Sequence, residues 1–250
     1  MTAKNNIILI LSFIIGFILT IIFLKFDNLG VTNTNWISKY DTISDFLALK
    51  FFINDTWHFP IGLNSDYGEL KNSIVFSGAV PFLSLVTKLL KSYLPYNFHY
   101  FSIWVCICFS FHIFFSYKII YYLTKNINFS IIATSFFLFT PILFQRLEMH
   151  LSLGAHWLII AYIYVEINTK IKNRFFLKVI LITFSSLIHF YFTAMLLLMN
   201  FIFSIYENFK SKDLKNFLKE IFLLMIPLIL TMYSVGYFSI PVSDSLGFGY

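Results

Sequence analysis

Residues 7–24 carry no charge over 18 positions and are bracketed by Lys4 and Lys25. A helix of that length rises about 27 Å, close to the thickness of a bilayer's hydrocarbon core. Five more uncharged runs follow, at 98–117, 129–144, 151–165, 179–206 and 221–240. One soluble core cannot absorb so much apolar chain. Hydrophobic residues make up 58% and charged residues 12%, with a mean hydropathy of +0.78, whereas soluble domains carry roughly 25% charged residues. The expected fold is all-α and polytopic. The net charge of +6 does not point to nucleic acid, because the basic residues fall in short clusters between apolar runs, as a positive-inside pattern requires. Cys106 and Cys108 lie two residues apart within one run, on different helical faces, and are not placed for a bridge.

The run at 7–24 has no small-residue cleavage site after it, so it reads as a retained helix with a cytoplasmic amino terminus. Residues 27–97 form a long first extracytoplasmic loop, rich in Asp, Gly and Pro, with a short amphipathic helix expected near 44–54. A second apolar stretch, 73–93, is broken by Gly78 and Pro81 and is expected to lie in the interface or to re-enter it. The run at 179–206 would be about 42 Å long as one helix, well beyond the hydrocarbon core. It is read as a hairpin turning near His189. These choices put Lys4, Lys118, Lys125, Lys170, Lys172, Arg174, Lys178, Lys210, Lys212, Lys215 and Lys219 in the cytoplasm, 11 of the 18 basic residues. The expectation is therefore a single membrane domain over 1–250, with about seven transmembrane helices. Residues 98–240 hold the crossings after the first, and 241–250 begin another extracytoplasmic segment.

On this topology the unusual polar residues collect at the outer face: Asp41 and Asp45, the segment 57–69, the segment 146–157, His189 and Asp244. Charge at membrane depth is expensive unless it lines a wet cavity or is paired, so the collection points to a pocket at the outer interface. Asp41 has the chemistry of a general base toward an acceptor hydroxyl, set against the plainer role of a solvated loop carboxylate. Arg146 suits a phosphate, since its planar fork binds anionic oxygens in pairs; an ion pair with Glu148 is the alternative. His150 and His156 could take a divalent metal with Asp41 or Glu148, but a six-residue spacing is no metal signature and no metal site is assigned. His189 sits at the outer hairpin tip, and His112 is read as packing.

The segments "DTISDFLALKFFINDTWHFPIGLNSDYG", "SIVFSGAVPFLSLVTKLL", "TPILFQRLEMHLSLGAHWLIIA", "LIHFYFTAMLL" and "GYFSIPVSDSLGFGY" together resemble an uncharacterised family of bacterial polytopic membrane proteins. Its layout is similar to that of the GT-C glycosyltransferases, which use lipid-phosphate-linked sugars. The specific parts are W-x-F-P-x-G, S-I-x-F and R-x-x-x-H-x(5)-H-W. The resemblance implies a catalytic carboxylate in the first external loop, at Asp41, and an Arg146 to His156 motif that lines the same cavity and holds the donor's phosphate; with His189 at the outer hairpin tip, the expected substrate-binding residues are Arg146, Glu148, His150, His156 and His189. Gly78 and Phe190 stand where an acid and a proline are expected, which leaves a second catalytic or metal-holding carboxylate without a position.

The expected activity is transfer of a sugar from a polyprenyl-phosphate carrier to a cell-envelope glycan or lipid acceptor. The expected setting is the bacterial inner (cytoplasmic) membrane. A non-enzymatic transporter or assembly component for lipid-linked envelope glycans is the alternative. A small-ion or solute transporter would call for deep charged pairs and inverted repeats, neither of which is evident. The cofactor is open, a divalent metal included, with the lipid-phosphate sugar as substrate. The resemblance also implies a carboxyl-terminally truncated member, because the chain stops in a "GFGY" motif at Tyr250 and members of the family are longer.

Overall fold

The computed structural model describes residues 3–37, 41–64, 72–211 and 213–239. Asp66, Glu69, Asp244 and the segment 241–250 lie outside the described residues. In chain order the helices are α1 (Ala3–Leu24), α2 (Thr42–Asn54), α3 (Pro81–Leu89), α4 (Phe101–Thr124), α5 (Ile127–Leu138), α6 (Pro141–Met149), α7 (Trp157–Ile167), α8 (Arg174–Ser186), α9 (Phe190–Ser211) and α10 (Leu214–Val235). Two short strands, β1 (Leu63–Asn64) and β2 (Asn72–Ser73), pair antiparallel. The chain divides into two compact units, Met1–Leu47 with Leu89–Asn168 and Ala48–Lys88 with Thr169–Tyr250.

Among the described residues four helical segments are long and apolar enough to cross a membrane: Asn6–Leu24, Phe101–Thr124, Phe190–Glu207 and Leu214–Val235. The α5–α6 pair would make a fifth, bent by 46°. Pro141 causes the bend. It supplies no N–H and disfavours helical backbone at Thr140, which is extended at φ −69°, ψ 125°. The helices α7, with 11 residues, and α8, with 13, rise only about 17 and 20 Å. Within 73–93 the only α-helix is the nine-residue α3, too short to cross. The last apolar run is shifted from its expected place. The helix α10 starts at Leu214, because Lys215, Lys219 and Glu220 are good helix formers, and it ends at Gly236 with φ +92°.

In the first unit α1 packs along α4 with an inverted pattern. Its buried positions are Ser12, Gly16, Thr20 and Leu24, four residues apart, while Ile7, Ile10, Leu11, Ile14, Phe17, Ile18 and Ile22 are exposed. Small residues inward and large apolar residues outward suit a helix whose far side meets lipid tails. The buried hydroxyls bond back one turn, Ser12 Oγ to Ile8 O (2.8 Å) and Thr20 Oγ1 to Gly16 O (2.7 Å), so no polar group is stranded. The helix α4 also carries α5 and α7 and is buried along most of its length. The ring of His112 donates from Nε2 to Phe137 O (3.0 Å), capping a carbonyl near the end of α5, in line with its reading as packing.

In the second unit α8 and α9 form the hairpin, broken at residues 187–189 and closed at its base by Arg174 on Glu207 (2.6 Å). The loop motifs act as caps. The last carbonyls of a helix have no partner within it. Here Phe82 N–H donates to Leu187 O (2.7 Å), Tyr237 O–H to Ser186 O (2.6 Å), Ile61 N–H to Ser234 O (2.8 Å) and Ser73 Oγ to Val235 O (2.6 Å). Burial pushes the Tyr237 phenol above its ordinary range, which keeps it a donor. A Cβ on Gly62 would run into Val235 O, so the glycine of W-x-F-P-x-G is needed for this docking. The motif therefore lies on the end of α10.

The same unit holds a buried cation. Lys88 donates to Thr56 O (3.1 Å) and stands 4.2 Å from the Phe52 ring centroid and 4.8 Å from that of Trp57. Lys88→Met keeps the apolar stem and removes the charge. It is expected to lower stability by about 2 kcal/mol, the sum of a charged hydrogen bond and the ring contacts. A thermal midpoint in detergent equal to that of the unaltered protein would show that the ammonium contributes nothing.

Candidate functional site

Both halves of the site are positioned by the amino-terminal end of α4. His99, fully buried before that helix, donates its backbone N–H to Val31 O (2.7 Å), and its Nε2 bonds Asn33 O (3.0 Å). Its ring lies edge-on to Trp36 and Phe46, each with centroids 6.2 Å away. Ser102 Oγ adds a bond to Leu29 O (2.9 Å). These contacts fix the segment after α1 and the first turn of α2. One turn further along α4, Trp104 Nε1 donates to Leu151 O (2.7 Å) and pins the turn that follows α6.

The two pinned segments meet at one pair. Asp41 Oδ2 lies 2.7 Å from His150 Nδ1, with the His150 side chain 36% exposed and that of Asp41 58% exposed. The Asp41 carbonyl accepts the N–H of Asp45 (3.0 Å), so the backbone opens α2 while the carboxylate turns to the imidazole. With Asp41 ionised, a 2.7 Å contact needs the proton on Nδ1, so His150 donates and Asp41 accepts. A pair this exposed adds little to stability, and both groups remain reachable from solvent.

The other expected residues distribute unevenly. His150 ends α6, and its N–H donates to Arg146 O (2.8 Å). The half-buried Arg146 is close enough to His156 for its charge to act on that ring. Glu148 falls between Arg146 and His150 in sequence, which turns it to another side of α6. There it lines a cavity of about 450 Å³ with Leu147, with Phe23, Leu24 and Lys25 at the end of α1, and with Asn28, Asn35 and Trp36. Asp45 is buried on α2, apart from solvent. His189 belongs to the second unit, where its Nδ1 accepts Tyr191 N–H (3.2 Å) and the two rings pack edge-on. Among the described residues no three of His, Cys, Asp and Glu gather as a metal group.

The family described as Domain of unknown function (DUF6311) matches residues 13–250. The chain belongs to this family. The matched region takes in the whole site, from the end of α1 through Asp41 to the turn after α6. No curated protein and no solved structure matches the chain.

Sequence reasoning missed His99 and the cavity residues Lys25, Asn28, Asn35 and Trp36. Lys25 stood out only as the charge that ends an apolar run. A signal for His99 was available: a histidine at the mouth of an apolar run needs a polar partner when it is buried.

Proposed function

We propose that this DUF6311 chain is a membrane glycosyltransferase-like protein of GT-C layout. It moves a sugar from a polyprenyl-phosphate carrier to an acceptor of the bacterial cell envelope. The observation that carries the reading is the Asp41–His150 pair, a carboxylate from the first loop held 2.7 Å from an imidazole at the end of α6. His150 occupies one carboxylate oxygen of Asp41 and leaves the other to take the proton of an acceptor hydroxyl. The acceptor oxygen then bonds to the anomeric carbon, the bond from that carbon to the carrier's phosphate oxygen breaks, and the phosphate leaves with the electron pair. Arg146, whose charge reaches His156, neutralises charge on that phosphate as the bond breaks.

The reading places the chain in the cytoplasmic membrane with its amino terminus inside. It has seven crossings, counting α7 and α8 as short ones and α3 as interfacial. A labelling experiment checks this. A cysteine replacing Lys91 is expected to react with an impermeant maleimide from outside intact cells, and one replacing Lys172 is expected to stay unreacted. Labelling at 172 would invert the topology.

The function is tested by profiling envelope glycans and polyprenyl-linked sugars in cells lacking the gene, rescued by the unaltered chain or by Asp41→Asn. One glycan is expected to disappear while its lipid-linked donor accumulates, with rescue only by the unaltered chain. Rescue by Asp41→Asn favours a binding or assembly role, and an unchanged deletion profile removes the reading.

A further inference from the structure

The cavity beside Glu148 is lined by residues other than the Asp41–His150 pair and Arg146. Its floor, Phe23 and Leu24, is the last turn of a segment apolar enough to span, and Lys25 is the first residue beyond it. On the proposed topology the cavity sits where lipid tails give way to headgroups. A cation, a carboxylate, two amides and an indole line it within about 450 Å³, the size of a small-molecule site. The set suits a ligand with one anionic group and several hydroxyls: the cation and the carboxylate repel opposite ends of the wrong ligand and orient the right one.

Three observations show a site built in advance. Asn28 Nδ2 is engaged by Leu24 O (2.7 Å), which leaves its amide oxygen as an acceptor. The Nε1 of Trp36 is buried without an acceptor among the described residues. Lys25 has φ 65° and ψ 152°, a conformation that side chains other than glycine's rarely adopt and that clusters at ligand clamps. The wall is rigid as well, since Asn33 and Leu29 are tied to His99 and Ser102.

We infer that this cavity binds the phosphate-sugar head of a prenol-linked sugar, with the phosphate on Lys25 and the sugar hydroxyls on Glu148 and Asn28, beside the Trp36 ring. The inference rests on the function proposed above and assigns that reaction's donor to a place. Lys25 is then a binding residue for the donor's phosphate before reaction, distinct from Arg146, which acts on it as the bond breaks, and from the Asp41–His150 pair, which takes the acceptor's proton.

The test uses the full chain in phosphatidylcholine nanodiscs, with tryptophan fluorescence as readout and farnesyl phosphate, farnesol and glucose 1-phosphate as probes. Farnesyl phosphate is expected to change the emission of the unaltered chain and of Asp41→Asn alike, with a midpoint about tenfold higher in Lys25→Gln. The change is expected to vanish in Trp36→Phe. Lys25 is exposed, so Lys25→Gln should fold, and its thermal midpoint checks this. An unshifted midpoint in Lys25→Gln, a full response in Trp36→Phe, or an equal response to farnesol overturns the assignment. An equal, Lys25-dependent response to glucose 1-phosphate overturns the lipid source. If Lys25-dependent binding holds while the glycan profile never changes, the transfer reaction falls and the cavity stands. If transfer depends on Asp41 while binding ignores Lys25, the cavity alone falls.

Discussion

Asp41→Asn is expected to lower sugar transfer by at least about 100-fold, the lower end of what a positioned general base contributes. The substitution is close to isosteric. The amide oxygen still accepts from His150 Nδ1, so the contact between the first loop and the end of α6 survives. An amide cannot take the acceptor's proton, so only the chemical step is lost. Because the Asp41 side chain is 58% exposed and its pair with His150 is open to water, stability should change by less than about 0.5 kcal/mol. Rates with a purified lipid-linked donor, alongside thermal midpoints, separate these effects. An unchanged rate would remove Asp41 as the base, and a large fall in midpoint would recast the pair as structural.

The second large effect concerns assembly of the first unit. Gly16→Val is expected to destabilise it by about 3 kcal/mol, near the upper end for overpacking a close contact. A Cβ at Gly16 would stand 2.9 Å from Ser110 N and 3.0 Å from Ser110 Cα. Backbone atoms cannot rotate away as a side-chain tip can, so α1 must move off α4. The rings around the seam, Phe13 on Phe111 and Phe23 on Phe109, would part with it. The same displacement would shift Lys25 and the cavity floor. The measurement is the fraction of folded, monodisperse protein after extraction, with its thermal midpoint. Gly16→Ala should show a smaller loss, partly restored by Ser110→Gly, which removes the nearest side-chain atom. A folded Gly16→Val protein with an unchanged midpoint would show that α1 does not rely on this approach.

Much of the helical layout could be read from residues near in sequence. The uncharged run at 7–24 became α1 and the break near His189 became the turn at 187–189, whereas the run at 129–144, read without a break, is bent at Pro141 between α5 and α6. The ends of helices were harder. The helix α10 begins seven residues before its apolar run, since a helix continues through charged residues wherever water can reach them. The W-x-F-P-x-G and S-I-x-F motifs stood out only as the specific parts of the resemblance, and within them Ile61 and Ser73 cap carbonyls at the end of α10. A capping role depends on a partner far along the chain, which no local pattern reveals.

The candidate site divides in the same way. The residue types at 41, 146, 148, 150 and 156 were visible as polar groups in an apolar chain. Their grouping was not: Asp41 pairs with His150, Arg146 neighbours His156, Glu148 turns into the cavity, and His189 lies in the other unit. By itself the sequence determined the helices and which of them are apolar enough to cross a membrane, because transfer of apolar side chains from water to lipid sums residue by residue and helix formation is local. Only the tertiary structure decided which polar groups meet. That follows from how closely α1 approaches α4 at Gly16 and from the bonds by which His99 and Trp104 pin two distant segments, and each is a contact between residues remote in sequence.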